Sequence, residues 1–414
     1  MVSKKATEHG PLCAQPSALC PSPSLTLAAH GLRPTSTLST SRPLRVAVLG
    51  AGAWARHAHL PGYRRDSRCS VVAIADPNRA LAEQVATDFG IPVVARDHTE
   101  VIGRDDVDLV DVCTPSATHL ELAMAALEAG KHVLCEKPVA FDYRDTLRAA
   151  ALARSRRLKT RLGFTFRYSP AMRYMKVLID EGFIGRPFIF NGYEQNSQWL
   201  DPVNPLRQVD PDADQSVIQV SSLEGYGAPI IDLGMWFTGS PFTQVVGTMR
   251  NFIPERMVRA TGRMMRMNID DGDIFLGEFG NGALGSVQTS FVTVGNYPGL
   301  EARMYGSEGA LICRLVEENG VCEVLRAARP DAVEFRELPV PAQFYPPGGS
   351  AGESWRTLFY ANLISSFISE LLADDDHNEA DFADGARVQE VINAVERSFR
   401  ERRWVSLPLE EARS

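Results

Sequence analysis

The segment Leu44-Arg-Val-Ala-Val-Leu-Gly-Ala-Gly-Ala-Trp-Ala55 combines an apolar run with a glycine turn. Its first six residues form a short apolar run that predicts a buried strand, and the glycine turn after it leads into a helix. Gly50 permits the tight turn, Gly52 lets a ligand approach the backbone, and Ala55 allows close packing of helix on strand. This spacing predicts a dinucleotide site with the pyrophosphate at the helix N-terminus. The predicted contacts in the turn are Gly50, Gly52, Ala53, Trp54 and Ala55.

An acidic residue ends the next apolar run, CSVVAIADPN. Asp76 lies 26 residues after Gly50, where a carboxylate accepts a hydrogen bond from a ribose hydroxyl and repels a 2′-phosphate. This position predicts NAD as the preferred cofactor. Arg79 offers a charge for a phosphate, so NADP is not excluded. The alternative is that Asp76 only caps the following helix.

Strand and helix patterns alternate from Leu44 to about Gly163, which is typical of βαβ units with a parallel sheet. Later segments such as GRPFIFNGYEQ and DIFLGEFGNGALGSVQTSF read as strands joined by Gly and Asn turns, and two helices close the chain. We predict an α/β protein with an N-terminal Rossmann domain over residues 44–165. Residues 166–414 then form an α/β domain with a large open, mostly antiparallel sheet, and the last helices pack back on the Rossmann domain.

The composition is that of an ordinary globular protein: 44% of the 414 residues are hydrophobic and 23% are charged. A formal net charge of −8 argues against a nucleic-acid partner or an anionic membrane surface. The seven cysteines are scattered and form no C-x-x-C pair, so we expect no disulfide framework, no metal site and a reducing cytoplasm. Residues 1–43 are rich in Ser, Pro, Thr and Ala, and we expect a disordered tail.

A lysine ends the strand that precedes Pro138, at the sheet edge where open α/β folds bind ligands. Next to a positive nicotinamide ring, the ammonium form of Lys137 is disfavoured, which suits it to polarise a carbonyl or accept an alcohol proton. The chain has only six lysines against 37 arginines, so a lysine at this position is informative. The alternative is a surface lysine near a turn.

Several distinctive segments follow one another along the chain: the glycine turn, CTPSATH, CEKPV, GFTFRYSPAMRYMKVLIDEGFIGRP, MYGSEGAL and the two closing helices. Together they resemble the Gfo/Idh/MocA oxidoreductases, which include glucose–fructose oxidoreductase and inositol dehydrogenase. The resemblance runs from about Leu44 to the C-terminus. It implies a Rossmann domain, an open-sheet domain, a nicotinamide cofactor and hydride transfer at a sugar or polyol carbon.

The resemblance also assigns roles to residues at matching positions. Thr114, Pro115 and His119 are similar to the loop that lines the nicotinamide ribose, although His119 could instead pack or cap the helix. Glu136 and Lys137 match the signature pair, with Lys137 catalytic. Arg167 matches an arginine near the cofactor and substrate, and the alternative is an ion pair between the domains. Trp199 and Asp201 lie on a loop that could line a sugar pocket, and the alternative is a buried anchor.

The segment SLEGYGAPIIDLGMWFTG departs from the family, whose helix here reads Asp-x-Gly-x-His-x-x-Asp. Gly225 stands at the Asp position and Pro229 at the His position, and no histidine occurs between residues 133 and 376. We expect Lys137 to be the key acid/base, with Tyr226 or Glu224 contributing. Asp232 is a further candidate, but its place inside the helix favours bracing. Alternatively, the substrate brings another residue to the reacting carbon, or catalysis is lost.

The sequence therefore predicts a cytoplasmic NAD(H)-dependent dehydrogenase or ketoreductase for a secondary alcohol of a sugar, glycoside or cyclitol. Because open sheets of this kind pair face to face, we expect a homodimer or homotetramer. Two alternatives remain open. One is an enzyme that cleaves or epimerises a glycoside by transient oxidation with tightly bound NAD. The other is a non-catalytic NAD(H)-binding sensor.

Overall fold

The computed structural model describes residues 42–206, 213–258, 261–294, 299–318, 321–331, 334–373 and 376–410. All but the last two residues of the predicted N-terminal tail lie outside this range. The described residues belong to one compact unit.

Six parallel strands form the first sheet, in the order β3-β2-β1-β4-β5-β6. They are β1 Leu44–Leu49, β2 Cys69–Ala75, β3 Val93–Ala95, β4 Leu109–Val112, β5 His132–Cys135 and β6 Thr160–Leu162. The intervening helices are α1 Leu60–Arg65, α2 Arg79–Phe89, α3 His98–Ile102, α4 His119–Glu128 and α5 Tyr143–Ser155. The central strands are buried on both faces, as their continuous Val, Ile, Leu and Ala runs require. This order confirms the predicted Rossmann fold.

Nine strands form the second sheet, in the order β16-β15-β14-β13-β7-β12-β11-β8-β17. They are β7 Pro187–Gln195, β8 Phe242–Arg250, β11 Gly272–Phe279, β12 Leu284–Ser290, β13 Leu300–Gly306, β14 Ala310–Glu318, β15 Val321–Ala328, β16 Arg336–Leu338 and β17 Val405–Ser406. A separate hairpin consists of β9 Glu255–Val258 and β10 Arg263–Arg266. Within the nine-stranded sheet β7 and β12 pair in parallel and the other neighbours are antiparallel, which confirms the predicted mostly antiparallel sheet.

Four further helices cover the second sheet and connect it to the first: α6 Pro170–Asp180, α7 Ala228–Thr238, α8 Trp355–Leu372 and α9 Phe382–Glu401. Helix α7 lies so close to β7 that a Cβ atom at Gly192 would come 2.1 Å from Cγ2 of Ile230. Helix α8 packs against α1, and α9 packs against both α5 and β8. Among the described helices, none has the length and apolar character needed to cross a bilayer.

The glycine turn is held in place by backbone contacts at the ends of three strands. The N–H of Gly50 donates to the carbonyl of Ala75, and the N–H of Cys113 donates to that of Leu49, each at 2.8 Å. Gly50 has φ +98°, and an added Cβ would lie 2.8 Å from the carbonyl oxygen of Cys113. At Gly52 the same Cβ meets nothing within 4 Å.

Replacement of Gly50 by alanine tests this geometry. We expect Gly50→Ala to lower the free energy of unfolding by about 3 kcal/mol, because a left-handed φ and a backbone clash both oppose the methyl group. Denaturant unfolding would measure it. Gly52→Ala is the matched control and should stay within about 0.5 kcal/mol of the wild type. Equal losses in the two variants would contradict the structure.

Candidate active site

The glycine turn, Asp76, Thr114 and Lys137 all follow the carboxyl ends of strands in the first sheet, so they share one edge. Gly52 and Ala53 are exposed at the start of the helical segment, and the space above Gly52 is open. Backbone N–H groups at the start of a helix lack intrahelical acceptors and attract an anion. The open space and these donors fit a pyrophosphate.

Asp76 braces the same turn. One carboxylate oxygen accepts from the N–H of Ala51 and the other from the N–H of Asn78, both at 2.8 Å. The side chain of Asn78, rather than Asp76, caps α2 by accepting from Leu81. Asp76 is half-buried, and each oxygen keeps a further lone pair that a ribose hydroxyl can use.

His119 joins the two loops that flank the predicted nicotinamide position. Its ring is buried, with Nδ1 at 2.7 Å from the carbonyl oxygen of Pro138 and Nε2 at 2.7 Å from that of Thr114. The loop is further tied by Thr118, whose hydroxyl oxygen lies 2.8 Å from both the hydroxyl oxygen of Thr114 and the carbonyl oxygen of Pro115. His119 therefore sets the spacing between the Thr114 loop and the segment that carries Lys137.

A buried hydrogen-bonded chain lies beneath Glu136. Nδ1 of His59 is 2.8 Å from Asp111, and Nε2 is 3.0 Å from Glu136. Tyr360 of α8 also donates to Glu136 and accepts from the indole N–H of Trp54 at 2.6 Å. The indole of Trp54 thus points toward α8. These hydrogen bonds fix the strand end that carries Lys137 against α8 and against the helical segment that follows the glycine turn.

The two carboxylates around His59 favour its charged form. Burial is the largest effect and lowers the pKa of His59, but the charge and hydrogen bond of Asp111 together with those of Cys113 outweigh burial, and the pKa lies well above its usual value. Burial raises the pKa of Glu136, but the hydrogen bonds of His59 and Tyr360 and the charges of His59 and Lys137 together outweigh burial, and the pKa is lowered. An imidazolium ring that donates from both nitrogens satisfies both carboxylates at once.

Lys137 connects the first sheet to the turn that precedes α7. Its side chain is half-buried, and Nζ donates to the carbonyl oxygen of Gly225 at 2.5 Å. Gly225 belongs to a π-helical turn, Leu223–Gly227, and Pro229 lies in the first turn of α7. Neither Gly225 nor Pro229 carries a group that transfers protons, so any proton transfer at this turn requires side chains of neighbouring residues.

Arg167 and Asp232 form a buried ion pair. Nε and Nη2 of the guanidinium donate to the two Asp232 oxygens, at 2.6 and 2.5 Å, and Nη1 donates to Asp384 of α9 at 3.3 Å. Burial lowers the pKa of Arg167, but the charge and hydrogen bonds of Asp232 and the charge of Asp384 together outweigh burial and raise the pKa. The structure uses both side chains to hold α7, α9 and the turn at residues 165–168 together.

Three aromatic rings, those of Trp199, Tyr226 and Phe291, form a cluster with centroids 5.6 to 6.3 Å apart. The hydroxyl of Tyr226 donates to the side chain of Gln198 at 2.5 Å. Asp201 is exposed and accepts from the backbone of Val203. Trp199 and Tyr226 are therefore brought together, whereas Asp201 lies at the surface.

Buried carboxyl groups surround the turn Leu223–Gly227. Glu224 accepts from Gln389 at 2.8 Å, and burial raises its pKa to about 7. Asp270 accepts from the backbone N–H groups of Ser222 and Leu223 and so caps the turn. Burial raises the pKa of Asp273 to about 7.

Sequence reasoning missed five buried polar residues near this site: His59, Asp111, Glu194, Asp270 and Tyr360. One signal was available, because Asp111 is a charged residue inside the apolar strand LVDV. His59 follows the glycine turn by seven residues, and its partners come from distant segments. Glu194 fits the alternating burial of β7, but this alternation does not identify the side chains around it.

Two models of one protein family match the chain. The oxidoreductase family with an NAD-binding Rossmann fold matches residues 44–164, and the GFO/IDH/MocA C-terminal domain matches residues 172–312. Levoglucosan dehydrogenase of Pseudarthrobacter phenanthrenivorans is 26% identical over 361 residues, which cover 81% of this chain and 89% of that protein. The NAD(+)-dependent scyllo-inositol 2-dehydrogenase of Bacillus subtilis is 26% identical over 274 residues, covering 65% and 73%.

Solved structures show the same fold. A levoglucosan dehydrogenase in complex with NADH and levoglucosan aligns with a TM-score of 0.77 at 25% identity. The alignment covers 89% of this chain and all of that one. The similarity therefore extends over both sheets.

The charge on His59 gives a pH-dependent prediction. Since its pKa is raised in the folded state, the stabilisation is present below the unfolded value of about 6.5 and is lost as pH rises through the folded value. We expect His59→Gln to lower the free energy of unfolding by about 3 kcal/mol at about pH 6, with a smaller loss at about pH 9. Denaturant unfolding across this range measures it.

His57→Gln is the control, because that ring is exposed on the same helical segment. It should leave the unfolding free energy within about 0.5 kcal/mol of the wild type. A loss in His59→Gln that stays constant with pH would show that the ring is not charged between its two carboxylates.

Proposed function

The chain belongs to the Gfo/Idh/MocA oxidoreductases, and from that premise we propose that it is an NAD(H)-dependent sugar or cyclitol dehydrogenase. The reaction is hydride transfer to or from a secondary alcohol or ketone of a sugar, glycoside or cyclitol. The observation that carries the proposal is the position of Lys137 on the sheet edge that also carries Gly52 and Asp76. The relatives that act on levoglucosan and scyllo-inositol, by their names, support this substrate class.

The cofactor is held by residues of the first sheet. Backbone N–H groups at Gly52 and Ala53 bind the pyrophosphate, and Asp76 accepts from the adenosine ribose. The carboxylate favours NAD. Arg79 is exposed and pairs with Glu83 at 2.8 Å, so a rearrangement of this pair leaves NADP possible. When bound, the nicotinamide ring takes up or returns the hydride.

Lys137 holds the reacting oxygen and exchanges its proton. The carbonyl of Gly225 orients Nζ from the second domain, and the network under Glu136 fixes the backbone from the first. In oxidation, the amine accepts the alcohol proton as the hydride leaves carbon; in reduction it returns that proton. The expected loop around the nicotinamide ribose is Thr114, Pro115 and His119.

The turn before α7 offers two side chains to the substrate. We assign Tyr226 a supporting role in proton transfer and Glu224 a role in binding hydroxyl groups. Trp199, packed against Tyr226, offers an aromatic face to the apolar side of a sugar ring. Asp232 and Arg167 brace the site. Asp201 is exposed, so it would contact only those ligand groups that extend to the protein surface.

The outer face of the large sheet is the proposed contact between subunits of a homodimer or homotetramer. Ile189, Ile274, Leu276 and Leu284 lie on this face and are each at least 40% exposed. Apolar side chains gathered on one open sheet face are typical of a protein–protein interface. The scattered cysteines keep the cytoplasm as the proposed location.

Removal of the lysine amine tests the proposed reaction. With a panel of sugars, glycosides and cyclitols and either NAD or NADP, we expect turnover by the wild type. Lys137→Ala should lower kcat/KM by at least about 100-fold, because the proton acceptor is lost. NADH binding, measured by fluorescence, should persist. The control is Lys131→Ala at the other end of β5, where the amine donates to two backbone carbonyls.

Each alternative gives a different result. Full activity of Lys137→Ala would overturn the role of the lysine. Product release without net change in NADH would indicate transient oxidation with tightly bound NAD. NADH binding without turnover of any compound would indicate a sensor protein.

The tyrosine hydroxyl is tested separately. We expect Tyr226→Phe to lower kcat by about tenfold with little change in KM, because a supporting proton donor is lost while the ring remains. Steady-state kinetics measures both constants. Tyr193→Phe is the control, because Tyr193 lies on the outer face of β7. An unchanged kcat in Tyr226→Phe would assign proton transfer to Lys137 alone.

A further inference from the structure

A proline follows the π-helical turn Leu223–Gly227. The turn closes with the N–H of Ala228, which donates to the carbonyl of Leu223, five residues back. Helix α7 begins at Ala228, and Pro229 is its second residue. In the regular α-helical pattern, the N–H of residue 229 would donate to the carbonyl of Gly225, four residues back. Proline has no N–H, so this carbonyl lacks its helical donor.

Lys137 supplies a donor in place of the missing one. Its Nζ donates to the carbonyl oxygen of Gly225 at 2.5 Å. The contact is partly buried, and a backbone carbonyl taken out of water is costly unless a donor meets it. The lysine therefore satisfies the carbonyl, and the carbonyl in turn gives Nζ a fixed direction.

The same arrangement is present where the glycine turn leads into α1. The π-helical turn Ala55–His59 closes with the N–H of Leu60, which donates five residues back, and Pro61 is the second residue of α1. The carbonyl four residues before this proline is that of His57, and the hydroxyl of Thr357 approaches it to 3.5 Å. In both places, a side chain from a distant segment meets the carbonyl that a proline leaves open.

Buried contacts hold the turn before α7 in position. Asp270 accepts from the backbone N–H groups of Ser222 and Leu223, at 3.1 and 2.9 Å. The hydroxyl oxygen of Ser222 is 3.0 Å from that of Thr289 of β12. The side chains of Asp270, Ser222 and Thr289 are all buried. Because the turn is held from these two sides, the carbonyl of Gly225 has a fixed place.

We propose that Pro229 is a positioning residue for Lys137, because its missing backbone donor leaves the carbonyl of Gly225 to hold Nζ. The inference rests on the proposed role of Lys137 in the dehydrogenase. A lysine head group rotates on a flexible stem unless a contact orients it. With one N–H held by the carbonyl, the amine that accepts the alcohol proton keeps its lone pair in one direction. Pro229 acts through Gly225 and touches no substrate.

Pro229→Ala tests the proposal, because it returns an N–H that competes with Nζ for the carbonyl of Gly225. We expect kcat to fall by about tenfold with less than about threefold change in KM, because a displaced proton acceptor slows the chemical step more than it weakens binding. Alanine suits the first turn of a helix, so the midpoint of denaturant unfolding should stay close to that of the wild type. An unchanged kcat would overturn the proposal.

The matched control is Pro61→Ala, which makes the same change where a threonine meets the carbonyl. It should leave kcat within about twofold of the wild type. An equal loss of kcat in the two variants would assign the effect to the start of a helix in general and would overturn the role of Pro229.

A backbone ester separates the missing N–H from the proline ring. Lactic acid incorporated at position 229 also has no N–H, but it has no ring. This protein should keep a kcat close to that of the wild type. If it instead loses as much activity as Pro229→Ala, the ring rather than the missing donor is responsible, and the proposal is wrong.

A further measurement needs no substrate. Reductive methylation with isotopically labelled formaldehyde marks lysine amines for NMR, and the signal of Lys137 is the one that Lys137→Ala lacks. We expect this signal to shift in Pro229→Ala and to stay in place in Pro61→Ala. No shift in Pro229→Ala would overturn the inference even if no compound in the panel is turned over. A shift without turnover by the wild type would support the inference and mean that the dehydrogenase function alone has failed.

Discussion

A histidine ring held between two carboxylates in the interior is the interaction on which the site depends. His59 comes from the first helical segment, Asp111 from β4 and Glu136 from the end of β5. Taking these charges out of water is costly, and the cost is offset only because each charge faces its partner directly. Tyr360 adds α8 to the same network. The backbone that carries Lys137 is therefore fixed from three directions.

The second domain completes the site with backbone and buried acids rather than with a histidine. The π-helical turn Leu223–Gly227 presents a carbonyl to Lys137, and Asp270 holds that turn from below. Acids kept away from water retain protons at a pH where exposed acids would lose them. Burial raises the pKa of Glu224 and of Asp273, which lie around this turn, to about 7.

The first sheet could be predicted from the sequence because its information is local. Apolar runs, glycine turns and helix caps lie within about ten residues of one another, and parallel strands bring their carboxyl ends to one edge whatever the loops contain. The order of the nine-stranded sheet could not be predicted, since β7 pairs with strands about 100 residues away. For the same reason, the contacts of His59 with Glu136 and of Arg167 with Asp232 join segments that no local pattern connects. The sheet edge that carries Gly52, Asp76 and Lys137 was accessible to sequence reasoning, whereas the buried partners around the turn before α7 required the packing of β7 and α7.

Helix α9 makes the cover of both sheets depend on one segment that is synthesised after them. It packs on α5 of the first sheet and on β8 of the second, and β17 then pairs with β8 at the sheet border. During synthesis, both surfaces stay uncovered until α9 has left the ribosome. A nascent or truncated chain that stops before Phe382 exposes the apolar side of α5 and a bare strand border, the features that chaperones bind and that nucleate aggregation.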